Sequence, residues 1–467
     1  MDEKKSAAKE LKEKLFMQKK NGWFRIQEGE DARITDFAEG YKDFLDHAKT
    51  EREAVIRASA MLEAKGFVKY EKGKSYKSGD KVYLNNRGKS LVIAVIGSAP
   101  ISEGVRLCAA HIDSPRLDLK QNPLYEDSDL ALFKTHYYGG IKKYQWTTIP
   151  LSLHGVIIRA DGESICVNIG EDESDPVFCI TDLLPHLAAE QMSRPAGKIV
   201  RGEDLNLLIG SKPFLEDETS EAVKLNILSI LFEKYGITEE DFISAELEAV
   251  PAFKTKDIGF DRSLIGGYGH DDRCCSYPAL MAALDCENPV HTTVTVLTDK
   301  EETGSDGNTG LRSAYLKYFI ADLAEDLGSD GRTVLSASEC LSADVNAAFD
   351  PTYPEVNERR NAAFVNKGVC ITKYTGARGK SGTSDASAEF AGKIRRLMDG
   401  KNVIWQTGEL GKVDEGGGGT VAAYIANLNV DTIDMGVPVL SMHAPFEIIS
   451  KLDLYQAYKA FSVFMAD

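Results

Sequence analysis

Apolar residues recur along this chain with two different periods, and the change of period divides it. Between residues 33 and 66 they fall at helical spacing, with Phe37, Tyr41, Phe44 and Ala48 and then Val55, Ala58, Met61 and Leu62 on one face. The rhythm then shortens. Lys81-Val82-Tyr83-Leu84, the run 90–96 and the run Val105-Arg106-Leu107-Cys108-Ala109-Ala110 are compact and apolar, which predicts strands, the last ending at His111. From about 120 to 245 the texture becomes short alternating pieces bounded by turn signals, at 137–140, 152–160, 165–169 and 177–180. One helix interrupts them at 219–235, with Thr219 or Ser220 as cap and Val223, Leu225, Ile227, Leu228, Ile230 and Leu231 facing inward.

From Ala245 onward strands and helices alternate. Strands are predicted at 245–249, 292–298, 333–337, 369–374, 402–406 and 432–436, and helices at 275–285, 309–326, 384–399 and 451–464. The pattern predicts an α/β core, residues 1–119 with 246–467, interrupted by a β-rich segment at 120–245.

Composition narrows the function classes. A chain of 467 residues is long for one core, so two domains are expected. Its 55 Lys and Arg against 72 Asp and Glu give a net charge of −17, which argues against nucleic acid and anionic membrane as partners. No apolar run is long enough to span a bilayer. The Lys/Glu-rich residues 1–20, with Leu11, Leu15 and Phe16 at helical spacing, read as a surface helix rather than a signal peptide. The eight cysteines contain no Cys-x-x-Cys, and Cys108, Cys166, Cys179 and Cys370 sit in apolar runs. Buried free thiols in a cytoplasmic protein are expected.

Candidate chemistry gathers at predicted strand ends. Val294-Thr295-Val296-Leu297-Thr298 runs into Asp299-Lys300-Glu301-Glu302-Thr303-Gly304-Ser305, and two adjacent acids at such a place lie where open α/β sheets build sites. Four other segments have similar positions: His111-Ile112-Asp113, His270-Asp271-Asp272-Arg273, Ser342-Ala343-Asp344-Val345-Asn346 and Met442-His443-Ala444. Each alone is weak, because a lone His is usually structural and a lone Asp after a strand is often a cap. Together they offer imidazoles and several carboxylates, the ligand types of a pair of zinc ions about 3.5 Å apart. Manganese and cobalt accept the same donors. In such a site the second acid of Glu301-Glu302 can ligate, and the first would then act as general base.

The ordered set Ala110-His111-Ile112-Asp113-Ser114-Pro115, Asp271-Asp272, Glu301-Glu302-Thr303-Gly304-Ser305, Ser342-Ala343-Asp344 and Ser441-Met442-His443 resembles the aspartyl aminopeptidase and vacuolar aminopeptidase I family. The resemblance covers most of the chain. It implies a co-catalytic di-zinc exopeptidase that removes N-terminal residues, acidic or neutral and hydrophobic, from peptides. The implied fold is a three-layer zinc-exopeptidase core with a mixed sheet, plus the inserted β-rich domain for oligomerisation and pocket closure. It further implies His111, Asp271, Glu302, Asp344 and His443 as metal ligands with Asp271 bridging, Glu301 as base, Asp113 supporting His111, and a homo-oligomer, commonly of twelve subunits. Asp272 and Arg273 would be structural. The chain departs from many relatives after Tyr138-Gly139-Gly140, with Tyr144-Gln145-Trp146-Thr147-Thr148-Ile149-Pro150 where an insertion reaches a neighbouring subunit's site. His136 and His154 are candidates for a histidine lent to that neighbour, or for structural roles.

Two loops are candidates for the substrate pocket. The loop 376–385 carries Arg378 and Lys380, suited to an acidic side chain or a peptide carboxylate, or else it is a solvated loop ending in a cap at Ser384. The loop 414–420 contains Gly417 and Gly418, which permit close backbone approach to substrate, or only a turn; it lacks the Gly-Lys-Ser/Thr ending of a P-loop.

Overall fold

The computed structural model describes residues 6–17, 20–216 and 219–467. Part of the 1–20 segment therefore lies outside the described residues; within it, Ala7–Leu15 forms a helix none of whose residues is buried.

The central element is a nine-stranded mixed sheet. Its order is Val68–Lys69, Lys81–Asn86, Ser90–Val95, Thr293–Thr298, Arg106–His111, Glu339–Ser342, Asp431–Gly436, Val369–Thr372 and Trp405–Thr407. The four strands from Thr293–Thr298 to Asp431–Gly436 run parallel. They are buried on both sides, which is why their sequences are apolar runs. Leu107, Ala109, Val294 and Val296 face one core, shared with the helix Tyr315–Asp326. Cys108, Ala110, Leu297, Leu341 and Ile433 face the other, under Glu30–Asp46, Glu51–Ala64, His270–Leu284, Ala388–Gly400 and Lys451–Met465. Alternate side chains of one strand thus seal both outer layers, at roughly 1.5–3 kcal/mol for each large apolar side chain removed from water.

A second, seven-stranded sheet has the order Ser164–Ile169, Leu151–Ile158, Ala245–Pro251, Arg116–Asp127, Leu130–Tyr138, Asn206–Gly210 and Cys179–Ile180. All its pairings are antiparallel, and it has its own apolar core around Leu117, Phe133, Trp146, Leu153, Leu207 and Leu247. The strand at 245–251 belongs here and not to the central sheet. A small third sheet, Lys256–Ile258, Leu264–Gly267, Glu447–Ser450, Pro438–Leu440 and Asn346–Ala347, takes up the chain just past Glu339–Ser342 and Asp431–Gly436 of the central one. No helix among the described residues is long and apolar enough to cross a membrane.

Several sequence expectations are corrected. The strand expected at 333–337 is a helix, Gly331–Ser336, capped by Asp330 accepting from Arg332 N and Thr333 N. A run as short as Thr333-Val334-Leu335-Ser336-Ala337 does not distinguish strand from buried helix, and here the Asp cap decides. The strand expected at 402–406 starts only at Trp405, and the helix expected from 309 starts at Tyr315. Ser387, not Ser384, caps the helix Ala388–Gly400. The helix Ala222–Tyr235 starts behind Glu221 in a left-handed conformation without a side-chain cap. Within it only Val223 is buried, while Leu225 and Ile230, expected inward, are exposed, as is Phe232. Cys166 is likewise exposed and Cys179 half-buried, because each lies at an edge of the second sheet.

Candidate metal centre

Parallel strands that enter a sheet in one sense deliver their C-terminal ends to one edge. Here that edge receives His111, the last residue of its strand, Glu301 and Glu302 just past Thr293–Thr298, and Asp344 just past Glu339–Ser342. The third sheet supplies the rest. Leu264–Gly267 leads into Asp271, and the turn after Pro438–Leu440 carries His443. Gly436 allows its strand to lie close against Asp344, since a Cβ there would fall 1.8 Å from Asp344 O.

The groups converge on Asp271. One carboxylate oxygen, Oδ1, lies 3.2 Å from His111 Nε2, and the other, Oδ2, lies 3.2 Å from His443 Nε2. Asp344 Oδ1 and Glu301 Oε2 are 3.9 and 3.8 Å from His111 Nε2, while Glu302 Oε2 is 3.6 Å from His443 Nε2. His111, Asp271 and Asp344 form one compact donor group, and Asp271, Glu302 and His443 another. Both rings turn Nε2 inward because Nδ1 is used on a backbone carbonyl, Asp113 O at 3.1 Å and Gly140 O at 2.8 Å.

Charge is crowded here. Burial pushes Glu301 up to about 7, with Asp113 and Asp271 adding repulsion against the attraction of His111 and His443. Burial also lifts Glu302 and Asp344 well above the usual carboxylate range, with further repulsion from Asp271 on Glu302 and from Glu301 on Asp344. Burial opposes the His443 imidazolium, but Asp271 and Glu302 outweigh it and raise that ring to about 10. Asp271 is held low by the two histidines against the burial that would raise it. Among the described residues Glu302 Oε1 has no hydrogen-bond partner, although it is buried. Two imidazole nitrogens, four carboxylates and an unpartnered buried oxygen are a donor set that fits divalent cations, whose charge relieves this repulsion.

Asp113 is wholly buried, and its Oδ1 lies 3.4 Å from His111 Nδ1. Asp272, adjacent to Asp271, turns the other way: its Oδ2 accepts from His111 N at 3.2 Å. Buried Arg273 donates to Lys49 O. Two contributors escaped the sequence reading. Glu447 accepts from His443 N at 2.7 Å through Oε1 and from Asp271 N at 3.1 Å through Oε2, and burial raises its carboxyl to about 8. Its one signal was an acid inside the apolar run Pro445-Phe446-Glu447-Ile448-Ile449. Tyr138 donates to Asp113 Oδ2 at 2.7 Å, from a strand of the second sheet.

The other sequence candidates have contacts of their own. Lys380 Nζ pairs with Asp385 at 2.7 Å and lies 3.7 Å from the Tyr374 ring centroid, and Arg378 is exposed. Gly376 N donates to Gly418 O, and a Cβ on Gly417 would fall 2.0 Å from Gly376 O, so the two loops close on each other. His154 is buried between Glu53 and Glu171, whereas His136 is exposed beside Tyr137.

Comparison with known proteins agrees over nearly the whole chain. Residues 44–465 match the model of the aminopeptidase I zinc metalloprotease family (M18). A probable M18 family aminopeptidase 1 of Clostridium acetobutylicum is 50% identical over 459 residues, 97% of this chain and 99% of its own. The crystal structure of an M18 aminopeptidase from Thermotoga maritima superposes with a TM-score of 0.93 at 46% identity, covering 96% of this chain and 99% of that one. The Saccharomyces cerevisiae mApe1 dodecamer, at 21% identity and a TM-score of 0.74 over 92% of this chain and 97% of its own, shares the fold. The chain belongs to the aminopeptidase I zinc metalloprotease (M18) family and is a metalloaminopeptidase.

Proposed function

We propose that the chain removes N-terminal residues from peptides at a co-catalytic pair of divalent metal ions, most simply zinc. The observation that carries this reading is Asp271, whose two carboxylate oxygens address two different histidines at the same distance. His111 and Asp344 would hold one ion, Glu302 and His443 the other, with Asp271 shared between them. When bound, such a pair supplies Lewis acidity to the scissile carbonyl and makes water a nucleophile near neutral pH. Glu301 stands beside this group and is partly open to solvent. It takes a proton from the attacking water as the new C–O bond forms, and passes it to the amine nitrogen as the C–N bond breaks. Asp113 orients His111.

The joined loops bearing Arg378, Lys380, Gly417 and Gly418 are our candidates for a wall of the substrate pocket. Because Lys380 already neutralises Asp385, it is a weak anchor for an acidic first residue, and neutral or apolar first residues are expected to be cleaved best. A profile of initial rates over peptides differing only in that residue tests this.

We assign residues 1–119 and 246–467 to the catalytic unit and 120–245 to an inserted unit that mediates oligomerisation and pocket closure. Its separate core supports this, although its sheet extends a few residues past both bounds. The helix Ala222–Tyr235 is apolar nearly all round, yet Ile230 is 50% and Phe232 59% exposed, as expected of a face covered by another copy. A homo-oligomer, twelve subunits by analogy with the yeast dodecamer, is proposed; sedimentation as a monomer would remove that part of the reading.

Glu301→Gln tests the chemistry. It should retain metal and lose about 10²–10⁴-fold in turnover. Unblocked peptides should release amino acid, N-acetylated ones should not, and a chelator should abolish release until metal is restored. Full activity in Glu301→Gln overturns the assignment of the base.

A further inference from the structure

The strand Leu130–Tyr138 carries its last residue, and the two glycines after it, from the second sheet to the carboxylate cluster. Tyr138 Oη donates to Asp113 Oδ2 at 2.7 Å. The same carboxylate accepts from Glu301 N through Oδ1 and from Glu302 N through Oδ2, each at 3.2 Å, and faces His111 Nδ1. One buried carboxylate therefore sets a histidine ring and the backbone of both glutamates. Its own rotation depends on its donors, and the tyrosine hydroxyl is the one that does not come from the segment being positioned.

The hydroxyl is itself held firmly. The Arg116 guanidinium lies 4.0 Å from the Tyr138 ring centroid, and it is fixed by Asp118, Glu51 and Glu248 at 2.8, 3.2 and 3.3 Å. A planar cation on the ring face restrains the tyrosine by stacking as well as by charge. The chain then passes directly over the second histidine. Gly139, at φ +76°, runs against Glu302, where a Cβ would come within 3.1 Å of Oε2, and Gly140 O accepts from His443 Nδ1.

We infer that Tyr138 is a positioning residue for the peptidase reaction: its hydroxyl orients Asp113 and, through it, His111 and the Glu301–Glu302 turn. By this contact the second sheet becomes part of the catalytic apparatus. The inference rests on the roles proposed above for His111, Asp113 and Glu301.

The test is Tyr138→Phe in the full chain, which keeps the ring on Arg116 and removes only the hydroxyl. At saturating zinc, kcat on an unblocked peptide should fall about 10–100-fold with KM within about twofold. Zinc affinity, measured by competition with a chromophoric chelator, should weaken about tenfold. The thermal midpoint of the metal-free protein should stay close to that of the parent, as should every readout in Tyr137→Phe. A kcat within about twofold of the parent overturns the inference, as does a loss of activity that follows a lowered thermal midpoint. Glu301→Gln run alongside separates the failures. If it keeps full turnover, the underlying reading fails; if it is inactive while Tyr138→Phe is normal, only the role of Tyr138 fails.

Discussion

His111 and His443 present the same ring nitrogen to the two oxygens of one carboxylate at the same distance, from opposite settings. His111 ends a central strand, its side chain 1% exposed, with its backbone in the ladder and its N–H on buried Asp272. His443 sits in a turn at φ 65° with its side chain 34% exposed. Its orientation depends on contacts from elsewhere, Glu447 on its backbone and Gly140 on its ring. One half of the centre is thus built into the core and the other is assembled from loops. Solvent reaches the cluster from the His443 and Glu301 side, so the deeper half supplies rigidity and the outer half access.

The sharpest break of that comparison is removal of the group both halves share. Asp271→Ala is expected to lose metal and, on the order of 10⁴-fold, activity, as measured by bound metal and peptide turnover. Retention of a full metal complement would dissolve the idea of a shared bridge. Next comes the paired test of the histidines. His111→Ala takes one charged partner from each of the buried carboxylates Asp113 and Asp271 and should cost the metal-free protein about 3–5 kcal/mol in denaturant unfolding. His443→Ala, at a partly solvated site, should cost about 1 kcal/mol while still impairing turnover. Equal costs would mean that the two settings are not energetically different. The smallest effect is expected from Glu447→Gln. The amide oxygen keeps one of the two contacts with backbone N–H groups and the amide nitrogen loses the other, so a loss of about tenfold in metal affinity is anticipated, with the fold intact. Wild-type affinity would show that the outer half needs no such support.

The two halves also differ in how plainly they were written in the chain. His111 and Glu301–Glu302 follow apolar β runs, so their place at a strand's end could be read locally, and the sheet order then brings them to one edge. His443 and Asp271 hang on the short third sheet, whose strands of two to four residues carry too little periodicity to be recognised. The same shortage of local signal explains the mistaken strand at 333–337. The outward face of Ala222–Tyr235 was hidden for another reason: an apolar helix reads as buried whether its cover is its own chain or another.

Local pattern therefore carried the α/β core, the β-rich segment and the residue types of a metallopeptidase, because periodicity and the choice of His, Asp and Glu are properties of short stretches. Convergence was settled by the fold. Asp271 rather than Asp272 faces both histidines, since Asp272 is drawn back to His111 N. Glu447 and Tyr138 touch the centre across 176 and 25 residues of chain, through a backbone N–H and a buried carboxylate. Hydrogen bonds of that span leave no period in the sequence, because their geometry exists only once the sheets have met.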